Sequence, residues 1–196
     1  MSGGSSAARE QMLESAIFLM RQAGLSAAGI NQIVEESGSP KGSVYHYFPG
    51  GKNQLVAEAL SLYGRRVADA FEARLASKKE PGQKVRALFA LIAERLRAAD
   101  FDASCAAGAV ALDVGKGNEA LRAVVANVMA SWQAIVAAHL PMRTRARSAS
   151  FAGLVISAIE GGYIRGRAER STQPLTEAGE WLAAIAASNR KDRRYA

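Results

Sequence analysis

Prolines and glycines divide this chain into helix-length segments, and no stretch between them alternates apolar and polar residues in the sustained manner of a half-buried strand. Only five prolines occur in 196 residues, and Ala and Leu, both good helix formers, are abundant. The expected fold is therefore all-α. From Arg9 to Ala23, the residues Met12, Ala16, Leu19 and Met20 share one helical face, and Gly24 follows as a stop. Ile30, Ile33 and Val34 mark a short second helix ending at Ser37 and Gly38, and Pro40 suits the first turn of a third, Lys41 to Tyr47. Pro49, Gly50 and Gly51 interrupt the chain before a long helix over about 52–76, which the charged and turn-forming run Lys78 to Gly82 closes. Beyond it, Val85, Leu88, Phe89, Ile92 and Leu96 form one helical stripe, and Leu121, Val125, Val128, Trp132, Ile135 and His139 form another. Pro141 separates these from a helix over about 144–168, and Pro174 precedes a last one over about 175–187.

Composition narrows the function classes. At 49% hydrophobic residues the chain carries enough apolar side chains for one compact unit or two small ones. A single cysteine, Cys105, excludes an intrachain disulfide framework and fits a reducing compartment. Met1 to Ala8 has neither a basic nor an apolar signal region, and no later apolar run approaches the roughly 18 residues of a membrane span. A cytoplasmic protein without a membrane partner is expected. With two histidines, His46 and His139, and one cysteine, no catalytic constellation or metal-ligand spacing arises, so neither an enzyme nor a cofactor or metal site is expected. The net charge of +7 hints at a polyanionic partner, because clustered Lys and Arg displace counterions from phosphates. That surplus lies late in the chain: up to Leu60 the bases Arg9, Arg21, Lys41 and Lys52 face the acids Glu10, Glu14, Glu35, Glu36 and Glu58.

Three helices within about fifty residues, the second pair joined by a Gly-containing turn, have the helix-turn-helix outline, in which the second helix of the pair enters the major groove. The run Ser37-Gly38-Ser39-Pro40-Lys41-Gly42-Ser43-Val44-Tyr45-His46-Tyr47-Phe48-Pro49-Gly50-Gly51-Lys52 closely resembles the signature of TetR-family transcriptional regulators, in a form similar to the LmrA-like subgroup. Ile159-Glu160-Gly161-Gly162 and Pro174-Leu175 resemble that subgroup's C-terminal half. Val44 and Phe48, at i and i+4, are placed to pin the third helix to the first two. Gly42 lets backbone approach a duplex, and Lys52 opens the next helix, where a cation opposes the dipole but suits a phosphate. The resemblance implies that Lys41, Gly42, Ser43, Tyr45, His46, Tyr47 and Lys52 contact DNA, with Asn31 of the second helix as an addition. One position departs from the family pattern: Ala28 followed by Gly29 stands where a Thr usually caps the second helix, which removes a phosphate-contacting hydroxyl.

For the rest of the chain the resemblance implies a helical bundle that binds a small effector and dimerises through its last two helices. Ala149, Gly153, Ser157 and Gly161 recur every four residues and make a flat stripe for close helix approach, with Trp181, Leu182 and Ile185 as its counterpart on the final helix. Phe89, Ile92, Met129, Trp132, Phe151, Val155 and Tyr163 form the candidate effector set, with Phe101 and Cys105 toward the rim. No charged cluster stands among them, so a lipophilic or planar aromatic effector is expected, as the resemblance to regulators answering drugs or flavonoids also implies. The expected organisation is a flexible segment 1–8, a DNA-binding head 9–51, a ligand-binding and dimerisation domain 52–189 and a basic tail 190–196. The expected function is that of an effector-released repressor acting as a homodimer on operator DNA. The alternative reading is a hydrophobic-ligand binding protein that has lost DNA binding, which the net-acidic head and Ala28 permit.

Overall fold

The computed structural model describes residues 3–192, and among them it contains nine helices and no strand. They are α1 (Gly3–Ala27), α2 (Ile30–Ser37), α3 (Lys41–Tyr47), α4 (Gly51–Ala76), α5 (Pro81–Ala98), α6 (Ala106–Asp113), α7 (Glu119–His139), α8 (Arg145–Glu169) and α9 (Gln173–Asp192). The chain forms two compact units, one comprising the residues up to Arg65 with Cys105–Val128, the other Arg66–Ser104 with the residues from Met129 onward. This division differs from the expected junction at 51/52. The first unit takes in α6, a helix that the sequence reading did not anticipate, because α6 packs on α1 far away in sequence. The expected flexible segment 1–8 differs too, since α1 already starts at Gly3, while Met1, Ser2 and positions 193–196 of the expected tail lie outside the described residues.

In the first unit, α1 buries Met12, Leu13, Ala16, Ile17 and Met20 on one face. Ala23 and Gly24 are non-helical, Gly24 with φ 78° and ψ −166°, a conformation open essentially to glycine, so the chain turns there before one more turn of helix. A side chain from α6 braces that turn: the Asp113 carboxylate accepts from the Ser26 N–H at 3.3 Å and the Ser26 hydroxyl at 3.4 Å. From the start of α4, Lys52 Nζ donates to the Leu25 carbonyl at 3.1 Å. α2 ends at left-handed Gly38, whose N–H reaches the Glu35 carbonyl while Ser39 N–H reaches that of Val34, the double bond of a Schellman stop. Pro40 is the cap before α3 rather than its first helical residue.

In the second unit, α5 packs along α9 and touches α8, which also packs on α9. Pro81 opens α5 at a first-turn position, and Thr144 caps α8 by accepting from Arg147 N–H at 3.2 Å. Phe71 and Trp132 meet with ring centroids 6.0 Å apart. α7 is long and apolar enough to pass as a membrane span by length and composition, contrary to the sequence expectation. Its buried Leu121, Val125, Val128, Trp132 and Val136 recur at helical spacing and form the inward side of an amphipathic helix whose other positions are exposed or half-buried.

Phe48 is fully buried and lies under the Arg9 guanidinium at 5.1 Å from the ring centroid. Phe48→Ala is expected to cost about 3–5 kcal/mol through lost burial and the cavity left behind. Urea denaturation followed by circular dichroism and by Phe-to-core NMR contacts measures it.

Candidate nucleic-acid interface

α3 has seven residues, too few to hold a helix in water on helix propensity alone, so its shape depends on what it buries. Val44 and Phe48, one turn apart, are both fully buried. The remaining side chains are thereby turned away from the core: Lys41, Gly42, Tyr45 and His46 are exposed, and Ser43 and Tyr47 are half-buried. Tyr45 is 57% exposed, far more than a core aromatic would be, and the His46 and Tyr47 rings meet edge to face at 5.0 Å. Around Gly42 nothing lies within 4 Å of where a Cβ would sit, so the backbone of this turn is open to a close partner. Asn31 is exposed on α2.

Lys52 is placed differently from the other candidates. It is half-buried, and its ammonium is already bonded to the Leu25 carbonyl, which also accepts from the Ala28 N–H at 3.2 Å, at the end of α1 where the helix dipole favours a cation. Two ammonium hydrogens remain for a phosphate, so one lysine can brace α1 and meet a duplex. The N-cap of α2 is Gly29, with no side-chain hydrogen bond, and Ala28 is buried. Ser26, two residues before Ala28, bonds Asp113 and the Ala23 carbonyl.

Of the candidate effector residues, Phe89, Ile92, Trp132, Phe151, Val155 and Tyr163 are buried in the second unit, while Phe101 and Met129 are half-buried there. Cys105 belongs to the first unit, as the N-cap of α6, with its sulfur accepting from Gly108 N–H at 3.5 Å. An open cleft of 380 Å³ lies elsewhere, along α1 and α4, lined by Arg9, Glu10, Leu13, Glu58, Ser61, Leu62 and Arg65. Its polar lining, including the Arg9–Glu58 ion pair, does not suit an apolar effector, and it contains none of the residues proposed for one.

The outer face of α8 and α9 carries Leu154 and Ile164, both more than half exposed, with Trp181 at 76% and Ile185 at 46%. Ala149, Ser157 and Gly161 are exposed on the same helix as Leu154, whereas Gly153 is half-buried beside Gln133. Leu182 is 5% exposed and packs inside the unit, because it falls on the inward side of α9 with Ala183 and Ala186. Leu154 and Ile164 are not among the residues that the sequence points to for this face. Their signal was an α8 that stays apolar on both sides, which one core cannot absorb.

Residues 12–59 match the family model of bacterial regulatory proteins of the tetR family, and residues 81–181 match that of the C-terminal domain of LmrA/YxaF-like transcriptional regulators. The chain is 30% identical over 179 residues to the HTH-type transcriptional regulator YxaF of Bacillus subtilis, covering 90% of this chain and 94% of that protein. It is also 30% identical over 183 residues to the HTH-type transcriptional regulator LmrA of the same organism, covering 89% and 93%. Among solved structures, a TetR regulatory protein from Rhodobacter sphaeroides superposes with a TM-score of 0.81 at 19% identity, covering 90% of this chain and 97% of that one. A cysteine mutant of the TetR family regulator CifR, solved with 26-base-pair operator DNA, superposes with a TM-score of 0.78 at 16% identity, covering 89% and 94%. At those identities the two structures speak for the fold.

The outward side of α3 contributes little to folding, so Tyr45→Ala should alter stability by less than about 0.5 kcal/mol. Val44→Asp, which puts a charge among fully buried neighbours, should unfold the head. Parallel thermal melts of the two variants test the contrast.

Proposed function

Because this chain belongs to the TetR family of DNA-binding transcriptional regulators, with a C-terminal half of the LmrA/YxaF-like kind, we propose that it is a cytoplasmic repressor that holds operator DNA as a homodimer and is released by a small apolar effector. One observation carries the reading: a helix-turn-helix whose third helix is anchored by Val44 and Phe48 and keeps Lys41, Gly42, Tyr45 and His46 exposed. A helix held this way presents Ser43 and Tyr45 toward base edges and Lys41 toward a phosphate, and Lys52, at the start of α4, supplies a second phosphate contact.

One recognition helix reads only a few base pairs, so a two-fold pair is needed to reach a useful site. The exposed apolar face of Leu154, Ile164, Trp181 and Ile185 supports a second copy as its cover. The effector reading rests on the apolar set Phe89, Ile92, Met129, Trp132, Phe151, Val155 and Tyr163, to which a lipophilic or aromatic compound is matched. Release then requires the effector to prefer a conformation that DNA does not, a coupling typically of about 1–3 kcal/mol.

The test is electrophoretic or anisotropy binding to the duplex lying upstream of the protein's own gene, with and without apolar compounds that quench Trp132. Tyr45→Ala should relax sequence preference at one position per half-site at a cost of about 1–3 kcal/mol, while Lys52→Ala should weaken all duplexes alike. A folded wild type that binds the compounds but no duplex would leave the ligand-binding reading in its place. The dimer is tested separately by sedimentation: Ile164→Asp should give monomers at micromolar concentration where wild type gives dimers, and a monomeric wild type would remove the two-fold scheme.

A further inference from the structure

We propose that Asp113 is a positioning residue for DNA recognition: from the end of α6 its carboxylate fixes the direction in which the chain leaves α1 for α2, and with it the pose of α3. The proposal rests on the family's DNA-binding function and not on the effector or repressor reading.

Three observations converge on this carboxylate. It faces both donors of one residue, Ser26: the backbone N–H at 3.3 Å and the hydroxyl at 3.4 Å, whose single hydrogen it shares with the Ala23 carbonyl at 3.4 Å. It also occupies the space beside Gly24 that a Cβ would need, so the glycine and the carboxylate fit each other as well as the backbone turn. Third, the turn it grips, Gly24 to Ser26, is the last part of α1 before Ala28 and Gly29 lead into α2, whose N-cap Gly29 supplies no side-chain hydrogen bond. An uncapped eight-residue helix takes its direction from its connections and its buried side, and Ile33 is its one fully buried residue. Lys52, bonded to the Leu25 carbonyl, braces the same turn from α4. Asp113 is ill placed for α6 itself, because a carboxylate in a last helical turn opposes the dipole. Its benefit lies across the contact, in α1.

The sign of the effect separates this role from a bystander's. Removing a negative charge from a protein that approaches polyanionic DNA raises affinity when charge alone matters. A positioning role predicts the reverse. Against the duplex that wild type enriches from a random-sequence pool, Asp113→Ala should bind about fivefold more weakly, the scale of one or two lost hydrogen bonds. Asp113→Asn, which keeps an acceptor and the volume, should recover most of that loss. Ser26→Ala should add little once Asp113 is Ala, since the two act through one contact. Hydrogen exchange at the Ser26 amide should quicken in Asp113→Ala while circular dichroism stays at the wild-type value. Affinity that rises or holds in Asp113→Ala, or an unchanged Ser26 exchange rate, overturns the proposal. Failure of wild type to enrich any duplex would overturn the DNA-binding function on which it rests, and the exchange measurement would still tell whether the brace exists.

Discussion

The burial of Val44 and Phe48 is the interaction on which the recognition surface depends. A helix of seven residues has no stability of its own, so the two side chains one turn apart both create α3 and decide which of its sides faces outward. Phe48 is in turn covered by the Arg9 guanidinium, and Arg9 is held by Glu58 of α4. One buried ring thus joins α1, α3 and α4, and one of the few cations up to Leu60 is engaged in the fold. Because Gln54 of α4 accepts from Gly50 N–H at 2.8 Å, the break after α3 is tied down as well, and the recognition helix is fixed at both ends.

The parts of the fold that local chemistry dictates were legible in the sequence. The bounds of α2 and α3 follow from Gly38, Pro40 and Pro49, which act through backbone geometry within a few residues. The apolar stripe of α5 and the capping Thr144 of α8 are equally local. What escaped was long-range. α6 reads Ala-Ala-Gly-Ala-Val-Ala-Leu-Asp, too uniform in side-chain size to show a face, and its contact with α1 spans 87 positions between Ser26 and Asp113. For the same reason the division into units could not be found from turn residues: it is set by which distant helices share a core. The candidate interface on α3 was legible residue by residue because its pattern is a run of consecutive positions. Lys52 was legible as a cation at a helix start, but its bond to Leu25 was not.

α8 serves two surfaces at once. Its inward side buries Phe151, Val155, Ile159 and Tyr163, and glycines allow the neighbours to come close: a Cβ at Gly162 would collide with Leu175, and one at Gly166 with Leu96. Its outward side exposes Leu154 and Ile164. Gly179 of α9 admits Phe89 of α5 in the same way, so the seam among α5, α8 and α9 has little slack. A compound lodged among Phe89, Phe151 and Tyr163 would have to move helices rather than fill a gap, because close-packed interiors transmit displacement instead of absorbing it. A tightly packed apolar core is in this sense better suited to signalling than a roomy one, since occupation and rearrangement become a single event.

Up to Leu60, the stretch that holds α2 and α3, the only basic residues are Arg9, Arg21, Lys41 and Lys52, against five acids. Arg9 is paired with Glu58, Lys52 bonds a carbonyl and Arg21 is engaged as well, so three of these four cations already have work within the protein. Counterion release scales with the number of phosphates neutralised, which makes a strongly salt-dependent grip hard to assemble from this set. In the proposed DNA-binding pose, affinity then rests on groups whose contribution salt screens less: the backbone around the open Gly42, the hydroxyls of Ser43 and Tyr45, and the amides at helix starts. Such donors are short-ranged and directional, and they reward an accurate pose where a cloud of lysines would tolerate a poor one. That is why the packing of Val44 and Phe48 and the bracing of the turn before α2 matter more in this head than its net charge.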